Sequence, residues 1–178
     1  MIVEQFQEDA LRQLQKYRGL ADNAAAQAGK DNFFRTLDND SNSIALIMKH
    51  MAGNMISRWT DFLTTDGEKN RARDLEFEAT STDTFDSINR YWEEGWEVTL
   101  KSVSSLKPED YEKTVYIRQE PHGVLQAVNR QLTHYAYHVG QIVMLAKHFA
   151  GGNWQSLSIP KGKSEDYKVV ADEIRYKK

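Results

Sequence analysis

The sequence predicts an all-α fold, a four-helix bundle, and three observations carry that prediction. Four long segments place apolar residues three and four positions apart, the spacing of an amphipathic helix. Only one short segment alternates with the two-residue period of a strand. Of 178 residues 40% are hydrophobic, while 10 glycines and 3 prolines leave room for long uninterrupted elements. A chain of this size buries a continuous core without covalent staples. One domain is therefore expected over residues 1–178, with 150–178 as a C-terminal tail packed on the bundle.

Helix one follows from Phe6, Ala10, Leu14, Tyr17, Ala21, Ala24 and Ala28, and it ends near Gly29. The polar stretch Lys30 to Asn42 links it to helix two, capped by Asn42 or Ser43. The apolar positions Ile44, Ile47, Met51, Met55 and Phe62 carry helix two to about Thr64–Gly67. Thr65 to Asp74 is charged and unpatterned, a surface loop. Helix three opens at Thr82 or Asp83 and runs through Phe85, Ile88, Trp92, Trp96, Thr99 and Val103, closed by Lys107-Pro108. Thr114 to Arg118 alternates β-branched and aromatic residues, one arm of a short β-hairpin before the last bundle helix. Helix four, Gly123 to Phe149, is apolar around most of its circumference, as a central helix is, and Gly151-Gly152 stops it. The tail should pack by Trp154, Leu157 and Ile159.

Composition excludes several functions. With no cysteine the chain supplies neither a thiol nucleophile nor a thiolate ligand, so any sulfur chemistry uses an outside thiol. The 23 Lys and Arg against 26 Asp and Glu form no basic block, which argues against a nucleic-acid partner. The longest apolar runs, Ile44 to Met48 and Ile142 to Ala146, are too short to span a membrane. Met1 to Asp9 carries acid where a signal peptide carries base, so a cytoplasmic protein is expected.

The histidines carry the candidate chemistry. His134 and His138 are four apart on helix four, an offset of about 40° and roughly 6 Å that lets both imidazoles converge on one ion. His50, beside the core face of helix two, is the natural third donor, and Asn54, Arg58 and Asp61 fall on its side of the helix. Gln131 and Gln141 flank the pair and could support a ligand from outside. The pair alone leaves open that each histidine is an ordinary half-buried polar residue. His122 reads as a capping or loop contact, and His148 as a cation complementing the helix-four dipole. Asp61 and Asp66 are candidate general bases, although acidic residues at a helix end are mostly solvated. The Tyr91 to Trp96 aromatics and Met48, Met51 and Met55 read as core. No GxGxxG, P-loop, HExxH or GxSxG is present.

Two segments, Lys49-His-Met-Ala-Gly-Asn-Met-Ile-Ser-Arg-Trp-Thr-Asp-Phe-Leu-Thr-Thr-Asp-Gly-Glu-Lys69 and Arg130-Gln-Leu-Thr-His-Tyr-Ala-Tyr-His-Val-Gly-Gln-Ile142, resemble the DinB/YfiT-like superfamily, in a bacterial branch of unknown function. The resemblance implies a four-helix bundle with one histidine from helix two and two, spaced by four, from the last helix. In this chain those are His50, His134 and His138. It also implies a homodimer, and activities that include transfer of low-molecular-weight thiols such as bacillithiol, and metal-dependent hydrolysis.

The leading expectation is a divalent-metal enzyme acting on a small molecule. Zn²⁺, or alternatively Ni²⁺ or another divalent transition metal, sits on the three histidines, and a thiol co-substrate is transferred to an electrophile. Asn54, Arg58, Asp61 and Gln141 are the candidate catalytic residues. The rivals are a hydrolase using metal-bound water, with Asp61 as base, and a non-catalytic metal- or ligand-binding stress protein.

Overall fold

The computed structural model describes residues 2–69 and 71–166. It has the expected architecture: α1 (Ile2–Ala28), α2 (Ile44–Trp59), α3 (Phe85–Ser104) and α4 (Val124–Ala150) form the bundle, and a hairpin of β1 (Thr114–Ile117) and β2 (Glu120–Gly123) precedes α4. No helix among the described residues is long and apolar enough to cross a membrane. The residues of the expected tail beyond Asp166 lie outside the description.

Helix starts are set by local chemistry. Ser43 Oγ accepts from the Leu46 N–H, and Thr84 forms a reciprocal capping box with Ser87. The α2 terminus differs from expectation. The helix stops at Trp59, because Thr60 turns extended and Asp61 adopts φ 50°. Phe62, which seemed to continue the helical spacing, is buried from a turn instead, its ring 4.8 Å from that of Trp59.

The helices form a ring in which α1 packs chiefly on α4 and α2 chiefly on α3. Lighter contacts of α1 with α3 and of α2 with α4 complete it. Directions follow from the contacts. Lys49 pairs with Asp83 just before α3, while Trp59 lies with Val98 and Lys101, so α2 and α3 run parallel. Two parallel neighbours require a connection that returns the length of the bundle. The described residues of the connection, 60–69 and 71–84, make that return, with Asp74–Phe77 packed against α2.

This crossover changes which helix is central. Thirteen of the sixteen α2 residues are buried, whereas Leu125, Tyr137 and Met144 of α4 are exposed, so α2 is the enclosed helix and the expectation for α4 is corrected. The loop expected at Thr65–Asp74 is a loop, yet it is anchored to the bundle. Ser57 Oγ donates to the Glu68 carbonyl at 2.8 Å, and Lys69 Nζ donates to the carbonyls of Ser57 and Thr60 at 2.7 and 2.6 Å.

Asp66 ties the same loop to the hairpin. Its carboxylate accepts from the N–H groups of Glu68, Arg118 and Gln119 at 2.7–2.9 Å. Arg118 and Gln119 form the two-residue turn, both with positive φ, the twist such a hairpin demands but without glycine. Asp66 therefore clamps the loop to the hairpin. In the tail, Gln27 exchanges two hydrogen bonds with the Gln155 backbone, and Trp154 and Leu157 pack on the core as expected. Ile159 does not; it is exposed.

Candidate metal centre

His50 projects from α2 and His134 and His138 from α4, and the structure brings them together. One nitrogen of each ring lies within 4.8 Å of the others. The rings of His134 and His138 are 4.7 Å apart between centroids, and His50 stands 5.6 and 4.9 Å from them. The i, i+4 spacing on α4 produces the pair, and the α2–α4 contact adds the third.

The outer nitrogens fix the tautomers. Glu76 Oε2 lies 3.0 Å from His50 Nδ1, and a carboxylate only accepts, so Nδ1 carries the proton and Nε2 keeps its lone pair. Gln141 Oε1 accepts in the same way from His138 Nδ1 at 2.9 Å. His138 Nε2 then faces His134 Nε2 at 3.1 Å. Ligands of a tetrahedral ion bound at about 2.05 Å stand roughly 3.3 Å apart, so this separation suits one shared cation.

Burial, then the adjacent His138 and His50, push the His134 pKa down to about 3. Burial also lowers that of His138, against the opposing hydrogen bond that its ring donates to Gln141. Neutral imidazoles with lone pairs turned to one point are the donor set a borderline divalent ion takes. The residues present fit such an ion.

Glu76 was not foreseen. It sits in the turn Asp74–Phe77, is buried, and receives both a bidentate Arg71 pair and the His50 proton. Arg71 Nη2 also donates to the His50 carbonyl at 3.2 Å, and the Phe77 ring stacks on His50 at 4.4 Å. Glu76 and Phe77 thus lie just beyond the expected surface loop, which itself supplies Arg71, and the three together hold the candidate ligand His50 in orientation.

The other candidates separate. Asn54 and Arg58, both buried, line a cavity of about 370 Å³ that also reaches His50 and His134. Asn54 Oδ1 accepts from Tyr135 OH at 3.3 Å, whose oxygen accepts from Trp59 Nε1 at 2.9 Å. Burial raises the Tyr135 pKa, so this phenol stays protonated. Gln141 supports His138 as expected. Asp61 is not at the site: with α2 ending at Trp59 it leaves the His50 face and lines a separate cavity with Phe62 and Val98.

Gln131 is buried in α4 with no hydrogen-bond partner for its amide and does not contact the triad's outer nitrogens. His122 lies in β2, its Nδ1 3.0 Å from the Glu120 carbonyl, and His148 is exposed in the last turn of α4. Neither joins the cluster. The Trp92 and Trp96 rings are core, as expected.

Searches of curated proteins and of solved structures return no match. A family match does cover the bundle, the crossover, the hairpin and all three histidines. Over residues 2–163 the chain matches, and so belongs to, the family described as "Protein of unknown function (DUF1572)".

Proposed function

We propose that this chain is a divalent-metal-dependent enzyme that transfers a low-molecular-weight thiol, bacillithiol or a similar one, to a small electrophile. His50, His134 and His138 hold Zn²⁺, or alternatively Ni²⁺ or another divalent transition metal. The observation that carries this reading is the convergence of three imidazoles, two with Nδ1 committed to Glu76 and Gln141, beside an open cavity. The likeness of Lys49–Lys69 and Arg130–Ile142 to the DinB/YfiT-like superfamily supports it. Structural zinc sites are almost always closed by four protein ligands, and three candidates converge here among the described residues, as in an open site.

When bound, the ion supplies Lewis-acid stabilisation of an anionic sulfur. The chain does the rest. Glu76 and Gln141 hold two ligand rings in orientation, and Phe77 covers one face of His50. The guanidinium groups of Arg58, Arg71 and Arg130 that line the cavity favour a thiolate over a thiol. The thiol gives its proton to solvent and its sulfur forms a bond to the electrophilic carbon. The leaving group departs with the electrons of the bond that breaks.

The hydrolytic alternative needs a general base. No carboxylate lines the cavity among the described residues, Asp61 faces elsewhere, and Glu76 is engaged by His50 and Arg71. That favours the thiol. The test is turnover of an electrophile panel by metal-loaded protein with and without added thiol. We expect thiol-dependent conjugation with the sulfur in the product, lost in His50→Ala. Elemental analysis should find about one ion per chain, lost in the His134→Ala/His138→Ala double variant and kept in His122→Ala. Cleavage without thiol would make the hydrolase correct. A bound ion with neither activity would leave a binding protein.

A further inference from the structure

Five arginines surround the cavity beside the triad: Arg58, Arg71, Arg73, Arg118 and Arg130. No acidic residue lines it among the described residues. Among the described residues two carboxylates form ion pairs with these five arginines, while Asp66 acts on Arg58 at longer range. Glu76 is held by Arg71, while Glu68 is shared among Arg58 at 3.4 Å, Arg118 at 3.2 Å and Arg73 at 3.7 Å. Burial pushes Glu68 up, but Arg118, Arg71 and Arg58 outweigh it and hold its carboxyl below the usual range. Arg130 has no carboxylate partner among the described residues. This concentration of positive charge sits in a chain whose formal charge is -3.

Arg58 adds an independent observation. Its side chain is 3% exposed, yet Nε and Nη1 are buried without any hydrogen-bond partner. A buried guanidinium with two idle donors is costly unless a ligand completes it. Its planar fork matches a carboxylate or a phosphoryl group, which accepts two parallel hydrogen bonds. Tyr137, on the same wall, offers a hydroxyl donor, whereas the Thr133 hydroxyl already donates to the Arg130 carbonyl at 2.9 Å. Because His50 and His134 line the same cavity, a group seated on Arg58 and Arg130 lies next to the candidate ion.

We propose that this cavity is an oxyanion-binding pocket, and that the molecule reacting at the triad carries a carboxylate or phosphoryl group seated on Arg58 and Arg130. The role of that molecule as substrate rests on the metal-enzyme reading; the pocket itself does not. The test is isothermal titration of the whole protein with inorganic phosphate and, separately, with succinate. The same titrations are run on Arg58→Met, Arg130→Gln and the His134→Ala/His138→Ala variant, with metal content measured on every sample.

Saturable binding of one or both probes below about 10 mM is expected. It should weaken about tenfold in Arg130→Gln, whose exposed position spares the fold, and at least as much in Arg58→Met if that variant folds. Binding should survive in the histidine variant. Phosphate alone would assign a phosphoryl ligand and succinate alone a carboxylate. No saturable binding of either, or binding untouched by Arg130→Gln and lost with the histidines, would overturn the pocket. Absence of metal from all samples would refute the metal-enzyme reading while the arginine comparison still stood.

Discussion

Gly53 shows how one missing side chain shapes the centre. It lies inside α2, where alanine ordinarily stabilises a helix by about 0.5–1 kcal/mol relative to glycine. Here a methyl at Gly53 would overlap Glu76 Oε1 and stand 2.9 Å from its Cδ, with Tyr91 OH at 3.2 Å. The glycine is the space that lets the Glu76 carboxylate reach His50. Gly53→Ala is therefore expected to displace Glu76 and weaken metal affinity by roughly 10- to 100-fold, the usual effect of losing a group that orients a ligand, without changing any ligand. Competition titration with a chelator measures this, and unchanged affinity at unchanged helicity would remove Glu76 from the account. The three histidines were legible because helical spacing is periodic. Glu76 was not, because a carboxylate between the charged loop and helix three, where no periodic pattern runs, carries no spacing that says what it folds against. The signal that could have found it was Gly53 itself, an unforced glycine in the middle of a helix three residues after a candidate ligand.

At the scale of elements, the hairpin and the crossover hold each other through Asp66. Backbone N–H donors, from Glu68 first and then Gln119 and Arg118, hold its carboxyl below the usual range against burial. A carboxyl with a depressed folded pKa contributes stability that is complete above its unfolded value, about 3.9, and is lost as pH falls through the folded one. Amide exchange on acidification from about pH 5 should therefore show Arg118 and Gln119 losing protection before the α4 amides. Asp66→Asn should show the same loosening at neutral pH. Protection of the turn that persists until the helices unfold would rule the clamp out. Of these elements the first strand was legible from its alternation, while the second, Glu120-Pro-His-Gly123, was not. It holds a proline and a glycine, and a two-stranded ribbon accepts both because half of each edge lacks a partner. The end of α2 misled for a related reason, since Phe62 is buried from a turn at a position that mimics the next helical contact.

For the whole molecule, Tyr137 and Met144 are seven residues apart on α4, on one side of the helix, and are 65% and 59% exposed. The family resemblance implies a homodimer, for which this face is the candidate contact, and sedimentation tests it: mass is expected to rise with concentration toward two chains. A monomer at every concentration would exclude it. The order of helices along the chain was legible, but not their ring, because periodicity reports one face of a helix and not which neighbour covers it. The return from α2 to α3 has a final consequence for folding. The candidate ligands His134 and His138, the candidate His50 and the carboxylate of Glu76 come from different segments, and Glu76 reaches His50 only when α2, α3 and their connection are all in register. A compact state with native helix content but fluid packing would score as folded by far-ultraviolet dichroism and still fail to present the three nitrogens together. Occupancy by the proposed ion would thus report completed tertiary order in this chain, and by mass action such an ion would draw the population toward the fully assembled state.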